Sequence, residues 1–148
     1  MSFVLSYSIV HSQDEPSTQA HPYFSAIIVN NLDTSALWYQ SLFDLKVRNL
    51  PDVPEGFRVA ILESTGFVLE LIENKSWLDP KKILEGKPEG TQIRGFFKIG
   101  FKVDNMDAWI NHLKKFNVAV NRIYKDDASN KRNFLVPDPD GNLVQFFE

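Results

Sequence analysis

Three polar side chains of this 148-residue chain could carry chemistry, namely Lys98, Glu70 and Gln145. Each lies in an apolar segment with the two-residue alternation of a β-strand, on the side that we expect to face inward between two sheets. An ammonium group beside a carboxylate can form a structural ion pair, or it can bind a carboxylate, phosphate or enolate oxygen of a small ligand. Either group can also act as a general base without a metal. The residues alone leave these three interpretations open.

Aromatic side chains accompany these polar groups. The same alternation places Phe24, Phe96 and Phe147 on the inward side, and Trp77 follows in a segment that could fold over the mouth of a cavity. Phenylalanine in a β-rich interior commonly serves packing alone. The alternative function is an aromatic wall for a planar or apolar ligand.

A long internal repeat positions these residues. Residues 24–33 align with residues 98–107, about 74 positions later, and residues 67–73 align with residues 142–148 at nearly the same offset. A repeat of this length indicates one folding module used twice. Two such modules around a shared centre would enclose a cavity at their junction.

Each module has the predicted element order β-α-β-β-β. In the first module the strands are predicted over 23–29, 46–50, 57–63 and 67–73, with a helix that Asp33 or Thr34 caps and that ends near Phe43. In the second they are predicted over 96–103, 119–125, 134–136 and 143–147, with a helix from about Met106 to Phe116. Residues 138–142 form a predicted hairpin turn, because Pro139 presets φ and Gly141 permits a positive φ.

The composition excludes several classes of function. The net charge is -3 and the basic residues are scattered, so no nucleic-acid footprint is present. The chain has no cysteine, which excludes disulfides and thiolate metal sites. No apolar run approaches the roughly 20 residues that an integral membrane segment needs.

We expect one folded domain over residues 21–148, made of modules 21–73 and 95–148 with a surface linker over 74–94. Residues 1–20 are set apart as a leader. Residues 1–12 form a modest apolar run that is either a remnant signal peptide, which would imply an exported or periplasmic protein, or an irregular arm of a cytoplasmic one.

The ordered motifs resemble those of the vicinal oxygen chelate superfamily, which includes glyoxalase I, extradiol dioxygenases and bleomycin-resistance proteins. The Val-x-Asn-Leu-Asp start at Val29, with Trp38 and Tyr39 on the helix, is similar to the family's first-helix pattern. The turn 138–142 followed by Val144-Gln145-Phe146 resembles its closing hairpin. The resemblance implies an α+β fold in which two tandem βαβββ modules form an open, mostly antiparallel barrel.

Metalloenzymes of this superfamily place four ligands in the barrel, on the first and last strand of each module. The resemblance maps these positions onto Phe24, Glu70, Lys98 and Gln145. A phenyl ring and an ammonium group cannot coordinate a cation. We therefore expect no cofactor and no metal, and only Glu70 and Gln145 could be ligands if a divalent metal did bind.

The resulting expectation is a homodimeric protein that binds a small, partly apolar, anionic molecule in the barrel cavity without metal. The ligand-binding residues would be Phe24, Glu70, Lys98, Gln145, Phe96 and Phe147. The alternative is a lyase, isomerase or dioxygenase of the same superfamily, with or without metal. A third hypothesis is a non-catalytic module that assembles with a partner through its barrel edges.

Overall fold

The computed structural model describes residues 24–48, 55–93, 95, 97–127 and 129–148. The predicted leader and Phe96 lie outside these residues. Eight strands and three helices follow one another along the described parts of the chain. They are β1 (Phe24–Val29), α1 (Leu32–Phe43), β2 (Lys46–Arg48), β3 (Phe57–Ser64), β4 (Phe67–Asn74), α2 (Pro80–Leu84), β5 (Lys98–Lys102), α3 (Met106–Lys115), β6 (Ile123–Lys125), β7 (Arg132–Pro137) and β8 (Leu143–Phe147).

The strands form two four-stranded sheets of the same topology, in the orders β1-β4-β3-β2 and β5-β8-β7-β6. The first strand of each module is parallel to the last, and all other neighbours are antiparallel. The predicted fold class is therefore confirmed as α+β with two βαβββ modules. The sheets do not close on one another, in agreement with an open form. No helix of the described residues is long and apolar enough to cross a membrane.

The helix caps repeat with the modules. Asn31 caps α1 by accepting a hydrogen bond from the Thr34 backbone N–H at 2.9 Å, and Asn105 caps α3 by accepting from Ala108 at 2.9 Å. The predicted cap at Asp33 or Thr34 is wrong, because the asparagine one turn earlier has the extended backbone and the free amide oxygen that a cap needs. Strand β6 is also shorter than predicted, since it begins at Ile123 rather than Ala119.

An ion-pair cluster ties each helix to its sheet, and it too occurs twice. Arg58 on β3 bonds Asp33 at 2.7 Å and Glu73 at 3.1 Å. Its counterpart Arg132 on β7 bonds Asp107 at 2.9 Å and Glu148 at 2.7 Å.

The helix-facing sides of both sheets share one hydrophobic core. Phe43 of α1 contacts the second sheet, with ring centroids 4.5 Å from Phe101 and 5.7 Å from Phe146. Phe67 of β4 contacts Phe101 at 5.0 Å, and His112 of α3 hydrogen-bonds the Leu42 carbonyl at 3.0 Å. The opposite sides of both sheets, on which the predicted site residues lie, therefore face away from this core.

The hairpin turn 138–142 joins the modules. The buried carboxylate of Asp138 accepts from the Tyr39 hydroxyl at 3.0 Å, and Asp140 accepts from the Ser35 hydroxyl at 2.9 Å and from the Asn30 N–H at 3.0 Å. Burial raises the pKa of the Tyr39 phenol, and the neighbouring Asp138 raises it further. The hydroxyl thus stays a proton donor.

From its first strand to its last strand, the second module is one residue longer than the first, and the extra residue lies in this turn. Lys98 follows Phe24 by 74 residues, whereas Leu143 follows Val68 by 75. The first module turns through Thr65-Gly66 alone, and the second uses the three residues between Asp138 and Asn142. The longer turn is thus the one that reaches α1, and Gly141 has the positive φ of 89° that such a turn favours.

We expect Tyr39→Phe to lower the free energy of unfolding by about 2 kcal/mol, because the buried Asp138 carboxylate would lose a donor that water cannot replace. Urea denaturation measures this change. Tyr124→Phe is the matched control on an exposed phenol and should stay within about 0.5 kcal/mol of the wild type. Equal effects of the two substitutions would contradict a joining role for Tyr39.

Glu148 gives a second prediction, on pH. Hydrogen bonds from Arg132 lower the pKa of its carboxyl from 4.5 to about 2. Its contribution to stability is therefore complete above the unfolded value and is lost as the pH falls through the folded one. Glu148→Gln should reduce the urea midpoint at neutral pH. The difference from the wild type should shrink as the pH falls from 4.5 to about 2. Glu89→Gln, on the exposed linker, is the control, and a difference that persisted at the lowest pH would rule out a charge effect.

Candidate functional site

The strand registers place the predicted site residues at equivalent points of the two sheets. Phe24 begins β1 opposite Val68, and Lys98 begins β5 opposite Leu143. Glu70 on β4 lies opposite Ala26, and Gln145 on β8 lies opposite Gly100. The two modules therefore present a ring and a carboxylate on one inward face, and an ammonium and an amide on the other.

These faces differ from the core in exposure. Phe24 and Ile28 are 58% and 54% exposed, and Lys98, Gly100 and Lys102 are exposed as well. Glu70 is half-buried, whereas Gln145 is buried with 6% exposure. The alternation inferred from sequence is thus confirmed in the strands that carry the site, with apolar side chains left on a solvent-facing side.

Lys98 and Glu70 are not brought together within the chain. Among the residues that the structure describes, neither forms an ion pair within 4.0 Å. The Lys98 ammonium instead lies 5.9 Å from the centroid of the Phe97 ring. An intramolecular Lys98–Glu70 pair, which was one interpretation of the sequence, is therefore absent from the described structure.

Gln145 has a partner that the sequence reading missed. Its amide nitrogen donates to the Asn133 side-chain oxygen on β7 at 2.8 Å. Its own amide oxygen is buried, and none of the residues that the structure describes donates a hydrogen bond to it. Alternation along β7 was the available signal, because Asn133 and Leu135 point opposite to the buried Phe134 and Val136.

Phe147 lies over a glycine on this face. A Cβ added at Gly100 would stand 3.2 Å from the Phe147 ring, so the missing side chain is what lets the ring rest there. The ring remains 40% exposed. The inward face of the second sheet thus offers an ammonium group, a buried amide and an aromatic ring on neighbouring strands.

Three strand arginines form ion pairs within the chain, and one of them, Arg48, lies on the same side of the first sheet as Glu70. Arg58 and Arg132 form the helix-to-sheet clusters, and Arg48 lies 3.8 Å from Glu63. Trp77 lines a separate cavity of about 360 Å³ between the end of β1, the linker and the turn 138–142. This cavity adjoins the inward face of the first sheet through Ile28.

The residues at the four positions that the resemblance maps onto metal ligands do not fit a divalent cation. Only Glu70 offers a carboxylate, Gln145 offers a neutral oxygen, and Lys98 brings a positive charge. No group of three or more histidine, cysteine, aspartate or glutamate residues in the described parts of the chain could hold a metal. We derive no chemical step through a metal at this position.

The family model described as Glyoxalase/Bleomycin resistance protein/Dioxygenase superfamily matches residues 20–146, and the chain belongs to this superfamily. The assignment agrees with the paired βαβββ modules. No curated protein matches the chain.

Solved structures share the fold at low identity. The protein SMU.1112c is 22% identical with a TM-score of 0.73, over 89% of this chain and 100% of that one. A glyoxalase family protein from Enterococcus faecalis is 19% identical with a TM-score of 0.69, over 86% and 94%. A lactoylglutathione lyase from Agrobacterium tumefaciens is 18% identical with a TM-score of 0.64, over 89% and 96%. At these identities the likeness establishes the fold alone.

Proposed function

We propose that this protein binds a small, partly apolar, anionic molecule without metal, in a cavity that two copies of the chain enclose. The carrying observation is the set of side chains at the family's ligand position, where Phe24, Lys98 and Gln145 replace groups that would hold a cation. Lys98 supplies positive charge for an anionic group, and Phe24 and Phe147 supply apolar surface. Phe96, which lies outside the described residues, is proposed to join them.

The arrangement of the sheets supports the role of a second copy. The helix-facing sides of both sheets share one core. The opposite sides, which carry the proposed site residues, are therefore exposed in the described part of a single chain and need a cover. Glu70 on the first face and Lys98 on the second have opposite charges and can pair across the joined faces. The other charged side chains of the first face are Lys46, Arg48 and Glu63, which together offset the charge of Glu70, and Arg48 lies 3.8 Å from Glu63. In a two-fold dimer, the first face of one subunit meets the second face of its partner, and both cavities form at once.

An enzyme of the same superfamily is the alternative. A lyase, isomerase or dioxygenase would need a bound cation or a base positioned at the reacting atom. Glu70 and Lys98 are the candidate bases of the proposed cavity. The other acid on this side of the first sheet, Glu63, lies 3.8 Å from Arg48, and no histidine lies on the described strands. The binding function therefore accounts for more of the site.

Charge reversal tests the dimer. Lys98→Glu would place like charges at the joined faces, and we expect the dimer dissociation constant to rise about tenfold or more. Adding Glu70→Lys in the same chain should restore much of the association. Sedimentation velocity over a concentration series measures it.

Lys87→Glu is the control for the dimer test, because it makes the same change in net charge on the exposed linker. A wild type that stays monomeric at all concentrations, or equal effects at positions 98 and 87, would refute the shared cavity.

Thermal-shift screening against arylcarboxylates tests binding. A ligand at a hundred times its Kd should raise the free energy of unfolding by about 2.7 kcal/mol. Lys98→Met should remove the response to carboxylates, whereas Lys87→Met should retain it. Elemental analysis of the same samples should find less than one divalent metal per chain. Stoichiometric metal would favour the enzyme, and an unchanged response in Lys98→Met would remove Lys98 from the site.

A further inference from the structure

The buried amide of Gln145 has an acceptor that nothing in the described structure satisfies. The residue is 6% exposed, its amide nitrogen is committed to Asn133 at 2.8 Å, and its oxygen Oε1 is buried without a donor. Buried polar atoms in folded proteins nearly always have a partner, and an unpartnered one marks a place where water, an ion or a ligand belongs.

The amide is held rather than free to turn away. Because Asn133 accepts its N–H, rotation of the Gln145 side chain would break a buried hydrogen bond. Asn133 lies on β7, the antiparallel neighbour of β8, and so it fixes the amide from inside the same sheet. The buried, unpaired acceptor is therefore held in place from within its own sheet, and a ligand that reaches it must displace the side chains that cover it.

The surroundings of this acceptor suggest the rest of the ligand. Gln145 lies opposite Gly100, and Lys98 precedes Gly100 by two residues on the same face of β5. A same-face step along a strand is roughly 6.6 Å, so the ammonium and the amide lie within the span of one small molecule. On the other side, the Phe147 ring rests on Gly100 and offers an apolar surface.

We propose that Gln145 selects ligands that carry a hydrogen-bond donor close to their anionic group. The ligand class is a carboxylic acid with a hydroxyl or N–H group near the carboxylate and a planar apolar part beyond it. Lys98 binds the carboxylate, Gln145 Oε1 accepts from the donor, and Phe147 contacts the apolar part. This inference rests on the proposed function and specifies its ligand.

Three matched acids test the donor requirement. They are 2-hydroxy-4-phenylbutanoate, 4-phenylbutanoate, which lacks the hydroxyl, and 2-oxo-4-phenylbutanoate, which has an acceptor in its place. We expect the hydroxy acid to bind the wild-type protein about tenfold more tightly than the unsubstituted acid, because the latter leaves Oε1 unpaired. The oxo acid should bind most weakly, since two acceptors would face each other. Isothermal titration calorimetry measures all three.

Variants assign the preference to the amide. In Gln145→Met the hydroxy acid should lose its advantage in affinity, while all three acids still bind through their carboxylates to Lys98. Asn133→Leu combined with Gln145→Met removes both amides, and its unfolding midpoint should equal or exceed that of the wild type, because no buried polar group is left unpaired. Gln92→Met, on the exposed linker, is the control and should keep the preference.

The outcomes separate the inference from the proposed function. Equal binding of the hydroxy and unsubstituted acids would overturn the inference, as expected if a permanent water satisfies Oε1, yet it would leave anion binding intact. A preference for the oxo acid would also overturn it, because the amide would then present its N–H. Binding of none of the three acids would overturn it too, and the dimer test together with the arylcarboxylate screen would then judge the cavity independently.

Discussion

The buried carboxylate of Asp138 is the constraint on which the arrangement of this molecule depends. It accepts four hydrogen bonds, from the backbone of Asp140 and Asn142, the Asn142 amide and the Tyr39 hydroxyl. Three of these shape the turn, whereas the fourth comes from a helix of the other module. A charge this deep is tolerated only when its partners are in place, so the turn and α1 must dock together. The orientation of the two modules follows from that docking.

This orientation decides where a binding site can lie. With α1 held between its own sheet and the turn of the second module, the helix-facing sides of both sheets fill one interior. Their other sides are then left with exposed groups such as Phe24 and Lys98. The described residues of one chain leave a site on these sides open. The contacts that stabilise the monomer thus leave apolar surface exposed, and under the proposed function a second subunit covers it.

Local signals in the sequence predicted most of the helices and strands. They did not predict contacts between residues that lie far apart in the sequence. Period-two alternation predicted that Glu70 and Gln145 lie on the sheet sides opposite the helices, and the strand registers agree, because side-chain direction in a strand is a local property. The Lys98–Glu70 pair depended on how two modules sit relative to each other, which alternation does not encode. The bond between Tyr39 and Asp138 spans 99 residues and was missed for the same reason. The cap at Asn31 was a smaller error, one of choosing among adjacent capping residues.

Comparison of the two modules separates the groups that both copies share from those that differ. Both retain the asparagine caps and the arginine clusters, at Arg58 and Arg132, although these groups lie on the outside of the molecule. The two modules differ from each other on the sheet sides opposite the helices, where Phe24 corresponds to Lys98 and Glu70 to Gln145. Groups that any βαβββ unit needs for its own folding should be the same in both copies. Groups that differ between the copies serve something that a single unit does not need, and the ligand proposed to bind between unlike faces would be such a requirement.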